Sequence, residues 1–229
     1  MRLDPKKIRL LRLSVGALAI LGVVGILWHS EYRRLSPAKN FGEVVPGEIY
    51  RSGYLNTEAL RRVHAQYGIR TIIDLGGSEP NTEKYRHEVS TAGTLGMQRF
   101  EFVLPGDGTG DPKIYVKVLK LMADRDNQPI LVHCGAGTFR TSTAVILYQN
   151  IYQNVPLWEA VQHCRRFGYD PHDNPQHLAY LAENLAAIRL ALGFPPVSDA
   201  VQQAIGSGSS GQLESASSLS GVKQPFIKP

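Results

Sequence analysis

Cysteine is scarce in this sequence. Two cysteines in 229 residues, Cys134 and Cys164, exclude a disulfide-rich scaffold and most cysteine-based zinc sites. The low hydrophobic content of disordered proteins is also absent, because 43% of the residues are hydrophobic. The length fits one catalytic-sized domain with attachments better than two full domains.

An excess of positive charge is missing beyond residue 39. The whole chain has a formal charge of +5, but residues 1–39 hold eight Lys or Arg against two acids. The remaining residues hold 17 Lys or Arg against 18 Asp or Glu, so they lack the basic footprint of a nucleic-acid binder. We therefore expect no nucleic-acid partner.

Charged residues are absent from residues 13–30, which are almost entirely apolar. As a helix, eighteen residues span about 27 Å, close to the roughly 30 Å hydrocarbon core of a bilayer. Five basic residues precede this run and two or three follow it, which predicts a single-pass membrane anchor with a basic cytoplasmic N-terminus at 1–12 and the catalytic domain on the exported side. Cleavage of this segment as a signal peptide, giving a secreted protein, is the alternative.

Strand-like and helix-like stretches alternate after a linker at 31–39. Strands are predicted over 47–51, 69–75, 97–103 and 129–133, and helices over 57–67, 81–95, 113–125, 141–152, 157–167 and 176–192. This alternation predicts an α/β domain over 40–205, with a central, mostly parallel sheet flanked by helices. Residues 206–229 are rich in Gly and Ser and are predicted to form a disordered tail.

The sharpest motif is HCGAGTFRT at residues 133–141, between a predicted strand and a predicted helix. Such a loop turns successive backbone N–H groups inward, and the helix dipole adds positive potential there. These groups and Arg140 favour the thiolate form of Cys134. Arg140 can also hold two phosphoryl oxygens in a bidentate fork, and Thr141 can offer its hydroxyl to the sulfur. The motif therefore predicts an anion-binding loop around a nucleophile.

The pattern HCxxGxxRT resembles the signature of the Cys-dependent protein tyrosine and dual-specificity phosphatases. Residues 40–53, NFGEVVPGEIYRSG, are similar to a segment of the plant- and fungus-type atypical dual-specificity phosphatases and their bacterial relatives. The resemblance covers roughly residues 40–187. It implies the cysteine phosphatase fold and hydrolysis of phosphomonoesters through a cysteinyl-phosphate intermediate, with no metal and no cofactor.

The resemblance also implies a role for each residue of the motif. Cys134 corresponds to the nucleophile, Arg140 to the phosphate clamp and Thr141 to the hydroxyl partner of the sulfur. His133 corresponds to the residue that orders the loop and tunes the thiolate. The implied substrate-binding residues, besides Arg140, are Gly135, Ala136, Gly137, Thr138 and Phe139.

The expected substrate is a phosphorylated protein or a small phosphomonoester. Residues 135–139 contain no Lys or His, whereas the inositol-pyrophosphate and phosphoinositide enzymes of this group usually carry basic residues there. This neutral interior favours phosphotyrosine-like substrates over inositol phosphates. A catalytically inactive phosphate-binding module and a rhodanese-type sulfurtransferase are the rival hypotheses, although the Arg-Thr ending of the motif favours a phosphatase.

The general acid is expected in the acid loop, residues 104–112, because the family takes an Asp from a mobile loop upstream of the nucleophile strand. Asp111 resembles the family placement most closely, with Asp107 as the alternative. Asp before Pro is also the pattern of a helix N-cap. Three further residues have structural interpretations: packing for Cys164, and an ion pair or cap for Arg51 and Asp74.

Overall fold

The computed structural model describes residues 16, 21–25, 38–77 and 79–196. Residues 1–37 form one unit and residues 38–229 a second. In the first unit, Gly16 and residues 21–25 are helical and exposed. The remainder of the anchor predicted over 13–30 lies outside the described residues, as do residues 1–12, most of the linker and the tail. Within the described part of the chain, no helix has both the length and the apolar character needed to cross a membrane.

A five-stranded sheet forms the centre of the second unit, with the strand order β1–β2–β5–β3–β4. The strands are β1 (Gly42–Val45), β2 (Ile49–Ser52), β3 (Thr71–Asp74), β4 (Gln98–Glu101) and β5 (Ile130–His133). Strands β2, β5, β3 and β4 are parallel, and β1 alone is antiparallel to its neighbour β2. The predicted α/β class with a mostly parallel sheet is confirmed.

Six helices accompany the described part of the sheet: α1 (Thr57–Tyr67), α2 (Glu83–Thr94), α3 (Pro112–Ala123), α4 (Phe139–Tyr152), α5 (Leu157–Arg165) and α6 (Pro175–Ala191). Sequence signals define the ends of α1, because the Asn56 side chain accepts a hydrogen bond from the Ala59 N–H and Gly68 ends the helix in the left-handed region. Short loops joining strands to helices are typical of this fold class.

The sheet separates two hydrophobic cores, because successive side chains of a strand point to opposite faces. Ile72 and Leu131 pack on one face in a cluster with residues of α1 and α2. Ile73 and Val132, their immediate neighbours, pack on the other face in a larger cluster with residues of α3, α4, α5 and α6. Strands that are buried on both faces explain the continuous apolar run before the HCGAGTFRT motif.

One strand is missing from the prediction, and the bounds of several other elements differ from the predicted ones by up to two residues. Strand β1 was not predicted, because an edge strand of four residues with only Val44 buried gives no alternating hydrophobic signal, and its pairing with β2 is irregular between Glu43 and Val45. Helix α4 begins at Phe139, two residues before the predicted start, and this leaves a shorter loop after β5. The carboxyl ends of β2, β3 and β5 meet at one edge, where the motif lies.

Candidate active site

The nucleophile loop, residues 134–138, connects β5 to α4 and surrounds the Cys134 thiol. Cys134 follows the last residue of β5 and is only 2% exposed. The Gly137 N–H donates to its Sγ atom at 3.2 Å. Gly137 has a φ of 75°, and a Cβ added there would lie 2.5 Å from the Gly53 nitrogen. This position therefore requires glycine for both its conformation and its close packing.

Three consecutive carbonyls of the nucleophile loop are bound from outside it. The Gly135 carbonyl accepts from the Tyr54 N–H at 3.1 Å, and the Ala136 carbonyl accepts from Asn40 Nδ2 at 2.8 Å. The Gly137 carbonyl accepts from Arg51 Nη2. In a trans peptide the C=O and the following N–H point in opposite directions. Fixing these carbonyls outward therefore turns the next N–H groups inward, as the bond from Gly137 to the sulfur illustrates.

Arg51 is a buried cation behind the loop and is 1% exposed. Its Nη2 atom also donates to Ser142 Oγ at 3.3 Å, and its Nη1 atom contacts Cys164 Sγ at 3.4 Å. Its guanidinium lies 4.2 Å from the centroid of the Phe167 ring. Among the residues that the structure describes, no carboxylate forms an ion pair with Arg51, so the predicted ion pair is not the way this residue is held.

The environment of the nucleophile lowers the pKa of the Cys134 thiol below its ordinary value. Burial alone would raise it, but the Thr141 hydroxyl and N–H, the Arg140 guanidinium and the Gly137 N–H together outweigh burial. These are the groups that the sequence predicted around the sulfur. The arrangement favours a thiolate, which is the nucleophilic form of cysteine.

Arg140 lies in the first turn of α4 with part of its guanidinium already engaged. Its Nη1 atom donates to the carbonyls of Leu75, Gly76 and Leu104, at 3.2 Å for Leu75 and 3.4 Å for Leu104. Its Nε atom is buried without a hydrogen-bond partner. The edge formed by Nε and Nη2 is therefore available to bind two oxygens of one tetrahedral anion, which is the bidentate geometry expected from the sequence.

His133 belongs to a buried ion-pair network under the loop. Its Nε2 atom lies 3.1 Å from Glu88 Oε2 and its Nδ1 atom 4.0 Å from Asp74 Oδ1. Arg99 completes the network, at 2.8 Å from Glu88 and 2.7 Å from Asp74. Burial disfavours the imidazolium, but Glu88 and Asp74 outweigh it and raise the pKa of His133 to about 9. His133 is therefore a cation at neutral pH.

The same three side chains have the spacing of a metal site. In the described part of the chain, Asp74, Glu88 and His133 bring one potential ligand atom each within 4.8 Å of one another. Arg99 already binds both carboxylates, however, and the imidazole is protonated at neutral pH. A cation at this point would face two positive charges, so the donor set fits an ion-pair network better than a metal ion. Asp74 thus forms the predicted structural ion pair, with Arg99.

Asp111 and Asp107 occupy different surroundings in the acid loop. Asp111 is exposed and caps α3, its Oδ1 atom accepting from the Lys113 N–H at 2.9 Å. Asp107 is partly buried, and its Oδ1 atom accepts from the Thr109 N–H at 3.0 Å and from the Thr109 hydroxyl at 2.7 Å. These bonds lower the pKa of Asp107 although burial opposes them. The capping alternative thus describes Asp111.

The Asp107 side of the acid loop contacts α4. A Cβ added at Gly108 would lie 2.7 Å from Thr143 Oγ1 and 3.0 Å from the Phe139 carbonyl carbon. The Phe139 ring packs edge-on against Tyr169 and His177, so this predicted substrate-binding residue also supports the wall of the site. The acid loop therefore reaches the helix whose first turn carries Arg140.

Sequence reasoning missed several residues of this arrangement. Asn40 and Glu88 contact the loop or its histidine from positions far away in the sequence, and neither has a local pattern that indicates such a contact. Arg51 was noted only as a structural residue. The residue type at position 40 does fit its backbone, because Asn40 adopts the left-handed conformation at a φ of 50°, which Asn tolerates better than most residues.

Comparison with known proteins identifies relatives of the second unit. A profile described as "Tyrosine phosphatase family" matches residues 35–174. The inositol diphosphatase SIW14 of Saccharomyces cerevisiae is 28% identical over 153 residues, which are 64% of this chain and 52% of that protein. This chain thus spans about half the length of that relative.

Solved structures show the same fold. The core catalytic domain of the S. cerevisiae PP-IP phosphatase SIW14, in complex with citrate, superposes with a TM-score of 0.54 at 23% identity, covering 69% of this chain and 98% of that one. The structure of TpbA from P. aeruginosa gives a TM-score of 0.56 at 19% identity, covering 68% of this chain and 91% of that one. At these identities the likeness concerns the fold alone.

The His133–Glu88 pair predicts a loss of stability at alkaline pH. Because the folded-state pKa of His133 is raised from 6.5 to about 9, its contribution is complete below pH 6.5 and disappears as the pH rises through about 9. This shift in the pKa of His133 corresponds to a contribution on the order of 3 kcal/mol to the free energy of unfolding. Glu88→Gln should remove most of this pH dependence.

Urea unfolding at a series of pH values measures the effect, in a Cys134→Ser background so that this thiol does not titrate. Glu101→Gln is the matched control, because Glu101 also pairs with Arg99, at 3.0 Å, but not with His133. It should keep the wild-type pH dependence. Equal slopes for the Glu88→Gln variant and its parent between pH 6.5 and 9 would contradict the assigned ion pair.

Proposed function

This chain belongs to the tyrosine phosphatase family, and on that premise we propose that it hydrolyses phosphomonoesters through a cysteinyl-phosphate intermediate. The observation that carries the proposal is a buried thiol with a lowered pKa inside a loop of inward N–H groups, next to an arginine with a free edge. A thiolate that faces several hydrogen-bond donors is suited to attack a tetrahedral anion which the same donors hold.

The reaction has two steps. The Cys134 thiolate attacks phosphorus, the P–S bond forms, and the bond to the leaving-group oxygen breaks as that oxygen takes a proton from the general acid. Water then attacks phosphorus and transfers a proton to the same carboxylate, while the S–P bond breaks and the Thr141 hydroxyl stabilises the departing thiolate. The N–H groups of the nucleophile loop and the Arg140 edge bind the equatorial oxygens in both steps.

Asp107 is the general acid in this proposal, in place of the expected Asp111. Asp111 is exposed and already binds a helix N–H, whereas Asp107 lies on the part of the acid loop that contacts α4. The lowered pKa of Asp107 describes the protein without substrate. A bound phosphoryl group adds negative charge nearby and raises that pKa, because like charges disfavour ionisation. The high-pH limb that reports Asp107 therefore belongs to the enzyme–substrate complex and appears in the pH profile of kcat.

The proposed substrates are phosphotyrosine-like. Residues 135–139 contain no cationic side chain. The local positive charge therefore comes from Arg140 and from the buried Arg51 and His133 behind the nucleophile loop. A substrate with one phosphoryl group on an aromatic ring suits this limited charge. Inositol diphosphates are the second candidate, because the relative SIW14 is named an inositol diphosphatase. A phosphate-binding protein without turnover is the third.

The proposed location is the exported side of a membrane, with residues 13–30 as a single-pass anchor and the N-terminus cytoplasmic. The support is the uncharged run of residues 13–30 and the five basic residues that precede it. Secretion after signal cleavage is the alternative.

Turnover of aryl phosphates tests the reaction. The purified full chain should hydrolyse phenyl phosphate and a phosphotyrosine peptide, Cys134→Ser should have no measurable turnover, and Arg140→Lys should lose about 10²–10³-fold in kcat/KM because Lys cannot form the bidentate fork. Inositol diphosphate is assayed in parallel, and an equal or higher kcat/KM on it would reverse the substrate assignment. Binding of inorganic phosphate without turnover would support the binding-protein alternative instead.

Substitution of the two aspartates separates the acid from the cap. Asp107→Asn should lower kcat/KM on phenyl phosphate by about 10²–10⁴-fold, with a much smaller loss of kcat/KM on a substrate whose leaving group needs no protonation. It should also remove the high-pH limb of the kcat profile on phenyl phosphate. Asp111→Asn is the matched control, because Asn caps a helix as well as Asp does. The reverse pattern in the two variants would assign the acid to Asp111.

Protease treatment of intact cells tests the location. The protein carries an epitope after residue 229. In the proposed orientation, protease added from the exported side should digest the catalytic domain. Without protease, the full-length protein should stay in the membrane fraction after extraction with alkaline carbonate. Protection until the membrane is breached would show the opposite orientation. Recovery of a protein lacking residues 1–30 from the soluble exported fraction would show cleavage.

A further inference from the structure

The Gly108 carbonyl, in the middle of the acid loop, is bound by two buried hydroxyls. Tyr115 Oη on α3 donates to it at 2.7 Å, and Thr143 Oγ1 on α4 donates to it at 3.0 Å. Tyr115 and Thr143 are both fully buried. A backbone carbonyl that holds two hydroxyl donors, one from each of two helices, is fixed in position rather than free to swing with a mobile loop.

Behind Thr143 one direction of the hydrogen bonds gives the carbonyls near its hydroxyl a donor. The Thr143 hydroxyl proton goes to a carbonyl, because Oγ1 lies 3.0 Å from both the Gly108 and the Phe139 oxygens and carbonyls only accept. His177 Nε2, at 2.6 Å, must then donate to Oγ1. The remaining ring nitrogen, Nδ1, accepts from Tyr169 Oη at 2.6 Å.

This direction requires a neutral imidazole protonated at Nε2. His177 is completely buried, and burial lowers its pKa to about 4, so the neutral form persists throughout the range in which a phosphatase works. The phenol of Tyr169 is also buried and stays protonated, because burial raises its pKa. Tyr169, His177, Thr143 and the acid loop thus form one fully hydrogen-bonded row.

A second anchor lies one residue earlier in the acid loop. Asn174 Nδ2 donates to the Asp107 carbonyl at 2.9 Å. The two peptide groups that follow the Asp107 side chain are therefore both fixed, one by Asn174 and the other by Thr143 and Tyr115. In contrast, among the described residues the Asp107 carboxylate accepts hydrogen bonds only within its own loop, from Thr109.

We propose that Thr143, oriented by His177, is a positioning residue that holds the acid loop against α4 before substrate binds, so that Asp107 is preorganised for proton transfer. This proposal rests on the proposed phosphatase reaction. Thr143 and Arg140 lie three residues apart on α4, so one rigid helix sets both the phosphate clamp and the acid loop. Gly108 serves the close contact of the loop with α4 and need not serve a closing motion.

The test replaces Thr143 with Val, which keeps the shape and removes the hydroxyl, in the full chain. Loss of positioning should lower kcat/KM by about tenfold or more on phenyl phosphate, which needs protonation of its leaving group. On a substrate with a good leaving group, such as 2,4-dinitrophenyl phosphate, kcat/KM should change less than about threefold, because kcat/KM does not include hydrolysis of the cysteinyl-phosphate. Inhibition by inorganic phosphate should be unchanged, because the nucleophile loop is intact, and Thr143→Ser should restore the lost rate.

Thr91→Val is the matched control. Thr91 is also a buried helical threonine, and its hydroxyl donates to the carbonyl four residues earlier, at 2.6 Å, but it has no contact with the acid loop. This variant should keep the wild-type ratio of kcat/KM on phenyl phosphate to kcat/KM on 2,4-dinitrophenyl phosphate. Tyr115→Phe removes the other hydroxyl at the Gly108 carbonyl and should change that ratio in the same direction as Thr143→Val, which keeps the test decisive if Thr143→Val does not fold.

The outcomes separate the two proposals. An equal loss of kcat/KM on both substrates, or no loss on either, would overturn the positioning role while the phosphatase reaction stands. A wild-type protein without turnover on either substrate would overturn the proposed function itself.

Discussion

The outward binding of three consecutive carbonyls in the nucleophile loop is the constraint on which the site depends. A loop of five residues with free peptide groups can turn its N–H groups in many directions, and an anion would have to order them. Here Tyr54, Asn40 and Arg51 hold the carbonyls of residues 135–137, so the N–H groups face the sulfur before any ligand arrives. The cost of ordering the loop is met during folding rather than during binding.

Positive charge without a matching acid is the second property of this region. Arg51 is buried against a ring, a thiol, a hydroxyl and a carbonyl, and none of these neutralises it when the thiol is protonated. His133 and Arg99 do have acidic partners in Glu88 and Asp74. The Arg51 charge therefore remains, together with that of Arg140, to favour the Cys134 thiolate and a bound phosphoryl group. A buried cation of this kind is stable only when strong local hydrogen bonds hold it.

The sequence allowed prediction of the parts of the site that are local. Residues 133–141 combine a buried strand, a nucleophile, glycines and a helix start within nine positions, so the loop and its chemistry could be inferred before the fold. The buried strands also predicted a parallel sheet. The sequence could not separate the two candidate acids, because Asp111 and Asp107 both precede a helix. In the structure Asp111 caps α3, whereas Gly108 next to Asp107 contacts α4.

Contacts between distant segments could not be predicted from a single sequence. Glu88 lies on α2, which connects β3 to β4, and contacts His133 at the end of β5. Asn174 precedes α6 and contacts the acid loop. Neither residue differs in its local pattern from an exposed polar residue of a helix or a loop. Strand β1 shows the same limitation, because its pairing partner rather than its own composition makes it a strand.

The acid loop's anchors have a consequence for the order in which the protein becomes competent. Asn174 and His177 follow the nucleophile by some forty residues, and α6 is the final helix of the described part of the chain. A chain that has emerged from the ribosome only as far as α5 already holds Cys134, Arg140, both aspartates and the two hydroxyls that bind the Gly108 carbonyl, yet it lacks Asn174 and His177. The acid loop thus acquires its full set of anchors, and Thr143 its orienting imidazole, only after the beginning of α6 has been synthesised.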